Sequence, residues 1–167
     1  MNYYSFKSQY LGKRYDYDKV YGYQCVDLAK LWAFAGWGLK PHAVGHGGHA
    51  KNVFNHADSM LSSKVARRIP NTPTGIPPTG AIIVFDSAPK NIYGHIAVVE
   101  KADTNRVTVL EQNANGKGDG RGTGAIRVHT YKYTANGAGV GKVLGWLIPV
   151  RGDASATAPN TSHLGGF

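Results

Sequence analysis

Residue types that together can cleave an amide bond occur along this sequence in the order cysteine, histidine, carboxylate. Cys25 is the single cysteine, so it forms no internal disulfide and is either a buried apolar side chain or a reactive thiol. The segment QCVDLAKLWAFA predicts a helix that starts at Cys25. At such a position, unpaired backbone N–H groups and the positive end of the helix dipole stabilise a thiolate. A structural core cysteine is the competing interpretation.

A histidine and two polar residues lie at the ends of two predicted neighbouring strands. His95 begins the strand GHIAVVE, and Glu111 and Asn113 end the strand VTVLEQN. If the strands pair as a hairpin through the turn at 103–105, His95 lies opposite Glu111 and Asn113. A carboxylate or amide on the second ring nitrogen holds an imidazole in the correct tautomer. The pattern therefore predicts a triad, unless the two polar residues merely end a strand.

The elements that must position these residues divide the chain into two halves. Residues 1–23 are predicted as a loop, and two amphipathic helices are predicted, over 24–35 and 50–61. A proline-rich linker at 70–78 separates them from β-branched runs, which predict an antiparallel sheet with strands at 81–85, 95–101, 106–112, 125–133 and 142–150. Helices followed by a block of strands indicate an α+β fold rather than alternating α/β.

Length and composition indicate one compact domain. The chain has 167 residues, of which 42% are hydrophobic, and we expect a catalytic domain over 1–152 with a tail or linker remnant at 153–167. The sequence shows neither an apolar run of about 18 residues nor the apolar centre of a signal peptide. The net charge of +9 should attract polyanions such as nucleic acid, anionic lipid or acidic wall polymers.

Three motifs in a fixed order, YGYQCVDLAKLW, YGHIAVVE and LEQN, closely resemble the CHAP domain (cysteine, histidine-dependent amidohydrolase/peptidase) of phage endolysins and bacterial wall hydrolases. The resemblance covers about residues 10–150. It implies a papain-like fold in which N-terminal helices pack on an antiparallel sheet of about five to six strands.

The resemblance also implies a role for each motif residue. Cys25 is expected to be the nucleophile, His95 the general base and later acid, and Glu111 the residue that orients the imidazole. Asn113 is expected to be a supporting amide and Gln24 a side-chain donor to the oxyanion. The implied reaction is amide cleavage in the stem peptide, the cross-bridge or the muramoyl–alanine linkage of peptidoglycan.

The same resemblance suggests how the protein is used. We expect a monomer that acts on peptidoglycan, is attracted to anionic teichoic acids, and neither binds specific nucleic acid nor inserts into a membrane. A phage endolysin released through a holin pore, or an enzyme delivered from outside as part of a phage, would need no signal peptide.

An acidic segment before the nucleophile predicts a calcium site. Carboxylates of Asp16, Asp18 and Asp27, with the carbonyls of Val20 and Gly22, offer the hard oxygen ligands that calcium prefers. Similar spacing occurs in phage members of the family that bind calcium here. The alternative is a solvated acidic loop in which Asp27 complements the helix dipole.

Other patterns are weaker. Four histidines cluster before the linker without a recognisable zinc-ligand spacing, and a substrate-groove loop or surface histidines explain them equally well: His42, His46, His49 and His56. The glycine-rich runs at 116–124 and 137–142 lack the spacing of phosphate loops and are predicted as turns.

Two competing functions remain open at this point. A basic module that binds wall polymers or nucleic acid would use the positive charge and the ten tyrosines, with a structural cysteine. A cysteine peptidase of the NlpC/P60 type is the nearest enzymatic alternative, although the LEQN motif favours the CHAP domain.

Overall fold

The computed structural model describes residues 1–45, 48–61, 64–114, 124–137 and 139–150. Helices lead into strands, which confirms the predicted α+β fold. The helices are α1 (Tyr3–Tyr10), α2 (Cys25–Ala35), α3 (Asn52–Asn55) and α4 (Ala57–Met60). The strands are β1 (Ala66–Pro70), β2 (Ile82–Phe85), β3 (His95–Ala102), β4 (Arg106–Glu111), β5 (Arg127–Lys132) and β6 (Val143–Pro149).

The six strands form one antiparallel sheet in the order β1-β6-β2-β3-β4-β5. The β3–β4 hairpin is interrupted by a bulge. Val99 pairs with Val109, and the next pair is Lys101 with Thr108. Glu100 is therefore an extra residue in β3, and it changes the register between the two halves of the hairpin.

Apolar side chains on both faces of the sheet form two core clusters. On one face, α1 and α2 pack against the strands, with Trp32 of α2 fully buried beside Val98 and Leu110. On the other face, Val99, Val109 and neighbouring side chains form the second cluster. Each such side chain contributes about 1.5 to 3 kcal/mol when fully buried, so packing fixes α2 on the sheet.

The segment before α2 contains a helix where the sequence pattern of residues 1–23 predicts a loop. Asn2 caps α1, and its Oδ1 accepts a backbone N–H of the first turn at 2.9 Å. Tyr3 and Phe6 are buried against Trp32, with ring centroids 6.2 and 5.0 Å away. The loop prediction is wrong for α1 because contacts with α2 stabilise a helix whose own residues favour it weakly.

The region 50–61 is helical but not one continuous helix. It divides into α3 and α4 at His56, where φ is −113° and ψ is 21°. The His56 N–H is shared between two preceding carbonyls, which tightens the chain there. Val53, Phe54 and Ala57 still bury the predicted apolar face.

The five predicted strands are present as β2 to β6 with small differences at their ends. β1 (Ala66–Pro70) is an additional strand, which lies between the predicted helices and the predicted linker at 70–78. It pairs with β6 at the edge of the sheet, where the terminal Pro70 is tolerated without a backbone N–H.

No helix in the described part of the chain is long and apolar enough to cross a membrane. The predicted tail at 153–167 and most of the glycine-rich run at 116–124 lie outside the described residues. The domain boundary at residue 152 stays a prediction.

Candidate active site

Cys25 is the first residue of α2, and its side chain is partly exposed. The helix start is held by Asp27, whose carboxylate accepts the N–H of Gln24 at 2.8 Å and that of Tyr17 at 2.9 Å. The thiol therefore lies where the N–H groups of the first helical turn point outward and favour a negative charge.

Gly94 determines how the chain enters β3. Its φ is +75°, and a Cβ at this position would lie 2.5 Å from the carbonyl oxygen of Phe85. Only glycine fits both the conformation and the space. The glycine of the YGH motif therefore allows His95 to begin β3 directly against β2.

His95 and Glu111 form a buried pair at adjacent strand ends. The exposed fractions of their side chains are 2% and 0%, and His95 Nε2 lies 3.0 Å from Glu111 Oε1. His95 also makes a side-chain hydrogen bond with Cys25. Because Glu111 engages Nε2, Nδ1 is the ring nitrogen available to the thiol. The structure thus joins Cys25, His95 and Glu111 in one hydrogen-bonded chain.

The surroundings favour an ion pair between His95 and Glu111. Burial disfavours the imidazolium, but the hydrogen bonds to Cys25 and Glu111 outweigh burial, so the pKa of His95 is raised above its ordinary value. Burial likewise disfavours the Glu111 carboxylate, but the hydrogen bond with His95 outweighs it and lowers the pKa of Glu111.

Two residues of β5 that the sequence did not suggest hold the second oxygen of Glu111. Oε2 accepts the Nε–H of Arg127 at 2.9 Å and the hydroxyl of Tyr131 at 3.1 Å. Arg127 pairs with Glu111 across the β4–β5 ladder. Strand alternation places Arg127 and Tyr131 on one face, but the sequence did not show which strand lies beside β4.

Asn113 and Gln24 contact each other beside the nucleophile. Asn113 Nδ2 lies 3.4 Å from Gln24 Oε1, and Asn113 has a left-handed backbone with φ of 57°. Gln24 Nε2 donates to the carbonyl of Tyr21 at 2.8 Å. Asn113 therefore contacts the residue before Cys25, and these contacts orient the Gln24 amide.

The three aspartates before and within α2 converge. Asp16, Asp18 and Asp27 each offer a carboxylate oxygen, and these oxygens lie within 4.8 Å of one another. Asp16 Oδ1 is buried without a hydrogen-bond partner, which suits an acceptor that faces a cation. Asp18 is neutralised by Lys30, with Nζ 2.6 Å from Oδ2.

The carbonyls proposed as further ligands belong to the same turn. Val20 donates its N–H to Asp18 at 2.9 Å, and Gly22 has φ of 72°. The backbone at Lys19 and Tyr21 is also left-handed, so the chain between Asp18 and Gln24 is tightly curved. Hard carboxylates on such a turn fit a divalent cation such as calcium.

Two described histidines of the 42–56 segment, His42 and His49, pack against different tyrosines. The ring of His42 packs edge-on against Tyr17 at 5.0 Å, and that of His49 packs against Tyr93 at 4.9 Å. His46 lies outside the described residues. Among the residues that the structure describes, only the three aspartates form a cluster with metal-ligand spacing.

A thiol, an imidazole and a carboxylate in one hydrogen-bonded chain form the arrangement found in enzymes that transfer acyl groups through cysteine. Residues 14–113 match the family described as the CHAP domain. The chain belongs to that family, which confirms the resemblance seen in its three motifs.

Two curated relatives come from staphylococcal sources. The chain is 33% identical over 121 residues to the endolysin PlyTW of Staphylococcus phage Twort, an alignment that covers 70% of this chain and 24% of that protein. It is 31% identical over 107 residues to the probable autolysin PH of Staphylococcus aureus, covering 64% and 21% respectively. The matched region is thus about a quarter or less of each relative's length.

The same fold occurs among solved structures. The crystal structure of the wild-type endolysin LysIME-EF1 superposes with a TM-score of 0.65 at 21% identity, covering 90% of this chain and 63% of that chain. At this identity the likeness concerns the fold alone.

Proposed function

We propose that this chain is a peptidoglycan hydrolase that cleaves amide bonds by cysteine nucleophilic catalysis. The observation that carries the proposal is the hydrogen-bonded chain of Cys25, His95 and Glu111, whose last two members are almost completely buried. The names of the two relatives, an endolysin and an autolysin, support the bacterial wall as the substrate.

The reaction follows from the roles that this chemistry requires. The Cys25 thiolate attacks an amide carbonyl carbon, and the carbonyl π electrons move to oxygen as an oxyanion. When the oxyanion collapses, the C–N bond breaks and the His95 imidazolium donates its proton to the leaving amine. A water molecule then attacks the thioester while His95 takes its proton. The C–S bond breaks, a carboxylic acid leaves and the thiolate returns.

The remaining site residues support these steps. Glu111 keeps the imidazole oriented and stabilises its charge. Gln24 and the backbone N–H of Cys25 serve as oxyanion donors, and such donors contribute most when they are fixed in advance. Asn113 orients Gln24 through the contact between their side chains.

The test is hydrolysis of purified staphylococcal peptidoglycan by the parent protein and by Cys25→Ala. The parent should release amino groups and clear a wall-containing gel, and Cys25→Ala should do neither while melting at the same temperature. Clearing by Cys25→Ala would refute the cysteine mechanism. Mass spectrometry of the released fragments assigns the bond, because an amidase and an endopeptidase expose different amine ends.

A thiol probe separates the enzyme from a basic binding module. In the proposed enzyme, iodoacetamide at neutral pH should label Cys25 rapidly and abolish wall hydrolysis. A protein that binds walls equally well before and after labelling, and never hydrolyses them, would support the module instead.

We also propose that Asp16, Asp18 and Asp27 hold a structural calcium ion, with the carbonyls of Val20 and Gly22 as further ligands. The buried Asp16 Oδ1 without a hydrogen-bond partner supports this. Bound calcium would neutralise the carboxylates and stiffen the segment that leads to the nucleophile.

Calorimetry with calcium chloride tests the calcium proposal. The parent should bind calcium at or below millimolar concentration, Asp16→Asn should bind it at least about tenfold more weakly, and the exposed Asp58→Asn should match the parent. Binding that is absent from the parent, or unchanged in Asp16→Asn, would refute the site. Chelation should lower hydrolysis without changing the thiol content.

We propose that the net charge of +9 attracts the protein to anionic teichoic acids. We also propose that it acts as a monomer, after holin release or delivery from outside. Such attraction is screened by salt. Binding to walls stripped of teichoic acid should therefore be weaker and less salt-dependent than binding to intact walls.

A further inference from the structure

Gln112 is a buried amide between Glu111 and Asn113 that the mechanism above does not use. Its exposed fraction is 0%. Its Oε1 accepts the N–H of Tyr15 at 2.8 Å, and its Nε2 donates to the carbonyl of Tyr15 at 2.9 Å and to that of Gln24 at 2.7 Å. One side chain thus connects the end of β4 to the acidic segment and to the residue before the nucleophile.

The carbonyl of Gln24 belongs to the same peptide unit as the N–H of Cys25. Peptide units are planar, and in the trans form the C=O and N–H bonds point in opposite directions. A hydrogen bond that fixes the direction of the Gln24 carbonyl therefore also fixes the direction of the Cys25 N–H. Accepting a hydrogen bond also polarises the peptide and strengthens its N–H as a donor.

The helix start has stabilising hydrogen bonds besides the one from Gln112. Asp27 already accepts the N–H of Gln24, and the Asp27 N–H already donates to the Gln24 carbonyl at 3.2 Å. The Gln24 carbonyl therefore accepts two hydrogen bonds, and the one from Gln112 is the shorter of the two. It restrains the plane of this peptide from the side of the sheet, where His95 and Glu111 also lie.

We infer that Gln112 is a positioning residue that holds the Cys25 N–H as an oxyanion donor. The inference rests on the proposed cysteine mechanism and adds to it the residue that preorganises the oxyanion site. Gln112 links that site to the strand that carries Glu111, so the donor and the orienting carboxylate keep one relative position.

The test uses the variant Gln112→Met, because methionine has a side chain of similar length without an N–H donor. Two reactions of the Cys25 thiol, hydrolysis and alkylation, are compared between this variant and the parent. Hydrolysis of purified staphylococcal peptidoglycan forms an oxyanion, so kcat should fall about tenfold to a hundredfold with little change in KM. Alkylation by iodoacetamide is a displacement at a saturated carbon and forms no oxyanion, so its rate at fixed pH should stay within about twofold of the parent rate.

Two further variants keep the test decisive. Gln9→Met changes an exposed glutamine of α1 and should match the parent in both reactions. Gln112→Glu keeps the acceptor for the Tyr15 N–H and loses both donated bonds, so it carries the test if Gln112→Met does not fold. Failure of both Gln112 variants to fold would overturn the inference, since the side chain would then serve the fold.

The remaining outcomes separate the inference from the proposed function. Unchanged hydrolysis in Gln112→Met, or a proportional loss of hydrolysis and alkylation, overturns the role of Gln112 alone. A parent protein that does not hydrolyse peptidoglycan, or a Cys25→Ala variant that does, overturns the proposed function and this inference with it.

Discussion

The Nε atom of Arg127 lies 2.9 Å from Oε2 of Glu111, so that a half-exposed guanidinium reaches a completely buried carboxylate. His95 occupies the other oxygen of Glu111. The carboxylate is therefore held from both sides, and its orientation toward the imidazole depends on β5 as well as on β3.

Arg127→Gln should reduce both stability and activity. Burial raises the pKa of Glu111, and His95, Tyr131 and Arg127 together lower it, so removing Arg127 leaves it less depressed. A carboxyl group whose pKa is depressed in the folded protein stabilises the fold at pH values above its pKa in the unfolded chain, about 4.3. This stabilisation is lost as the pH falls through the pKa of the folded state. We expect a loss of about 1 kcal/mol at pH 7, because the side chain of Arg127 is half exposed.

Urea unfolding between pH 3 and pH 7 measures this effect. Lys132→Gln removes the same charge from an exposed position of β5 and serves as the control. Equal losses in the two variants would mean that general charge, rather than the contact with Glu111, is responsible.

Glu111→Gln should move the alkaline limb of the pH–rate profile of hydrolysis to lower pH. Burial lowers the pKa of His95, but the contacts with Cys25 and Glu111 raise it above 6.5, so a neutral partner should bring it down. By linkage, the proton on His95 stabilises the fold below about pH 6.5, and its contribution is lost as pH rises through the folded pKa. We expect kcat to fall on the order of 10²- to 10⁴-fold.

The measurement is the rate of amino-group release from peptidoglycan across pH 6 to pH 11. Asp103→Asn, at an exposed turn, should leave the alkaline limb in place. An alkaline limb that stays fixed in Glu111→Gln would show that it reports another group.

Gly94→Ala should displace His95. The new Cβ would meet the Phe85 carbonyl oxygen at 2.5 Å, and we expect a loss of about 1 to 3 kcal/mol together with most of the activity. Gly12→Ala is a matched control, because Gly12 has φ of +80° but open space around the new Cβ. Thermal melting of both variants separates the steric clash from backbone strain, and equal losses would contradict the clash.

Lys30→Met should strengthen calcium binding at the site proposed for Asp16, Asp18 and Asp27. Lys30 Nζ lies 2.6 Å from Asp18 Oδ2, and a positive charge at that distance opposes a second cation. We expect calorimetry to show binding several-fold to about tenfold tighter, and Lys40→Met, at an exposed position, should leave it unchanged. Weaker binding in Lys30→Met would mean that the ammonium helps to order the site.

Local patterns predicted the helix that begins at Cys25 and the hairpin that joins His95 to Glu111. Both depend on residues close in sequence, where periodicity and strand alternation are informative. The helix α1 was missed because its stability comes from Trp32, a residue of another helix. Contacts between distant segments leave little trace in the local pattern.

The support around the triad could not be predicted for the same reason. Arg127 reaches Glu111 only because β5 pairs with β4, and nothing in the sequence of β5 shows its neighbour. Gln112 was identified only as part of the LEQN motif, and its partners at Tyr15 and Gln24 lie far away along the chain.

The bulge at Glu100 limits which changes in chain length the hairpin can accept. Side chains alternate between the two faces of a sheet, so an odd change in the residue count within β3 turns His95 from one face to the other unless a bulge absorbs the change. Glu100 is the residue that the pairing skips between Val99 and Lys101, and its carboxylate also binds Tyr3 and Lys7 of α1, each at 2.8 Å. Deleting it would make Val99 and Lys101 adjacent opposite Val109 and Thr108, which restores regular pairing and leaves His95 on its present face. Designed variants that lengthen this hairpin should therefore add residues at the turn, beyond the bulge, where neither His95 nor Glu111 changes face.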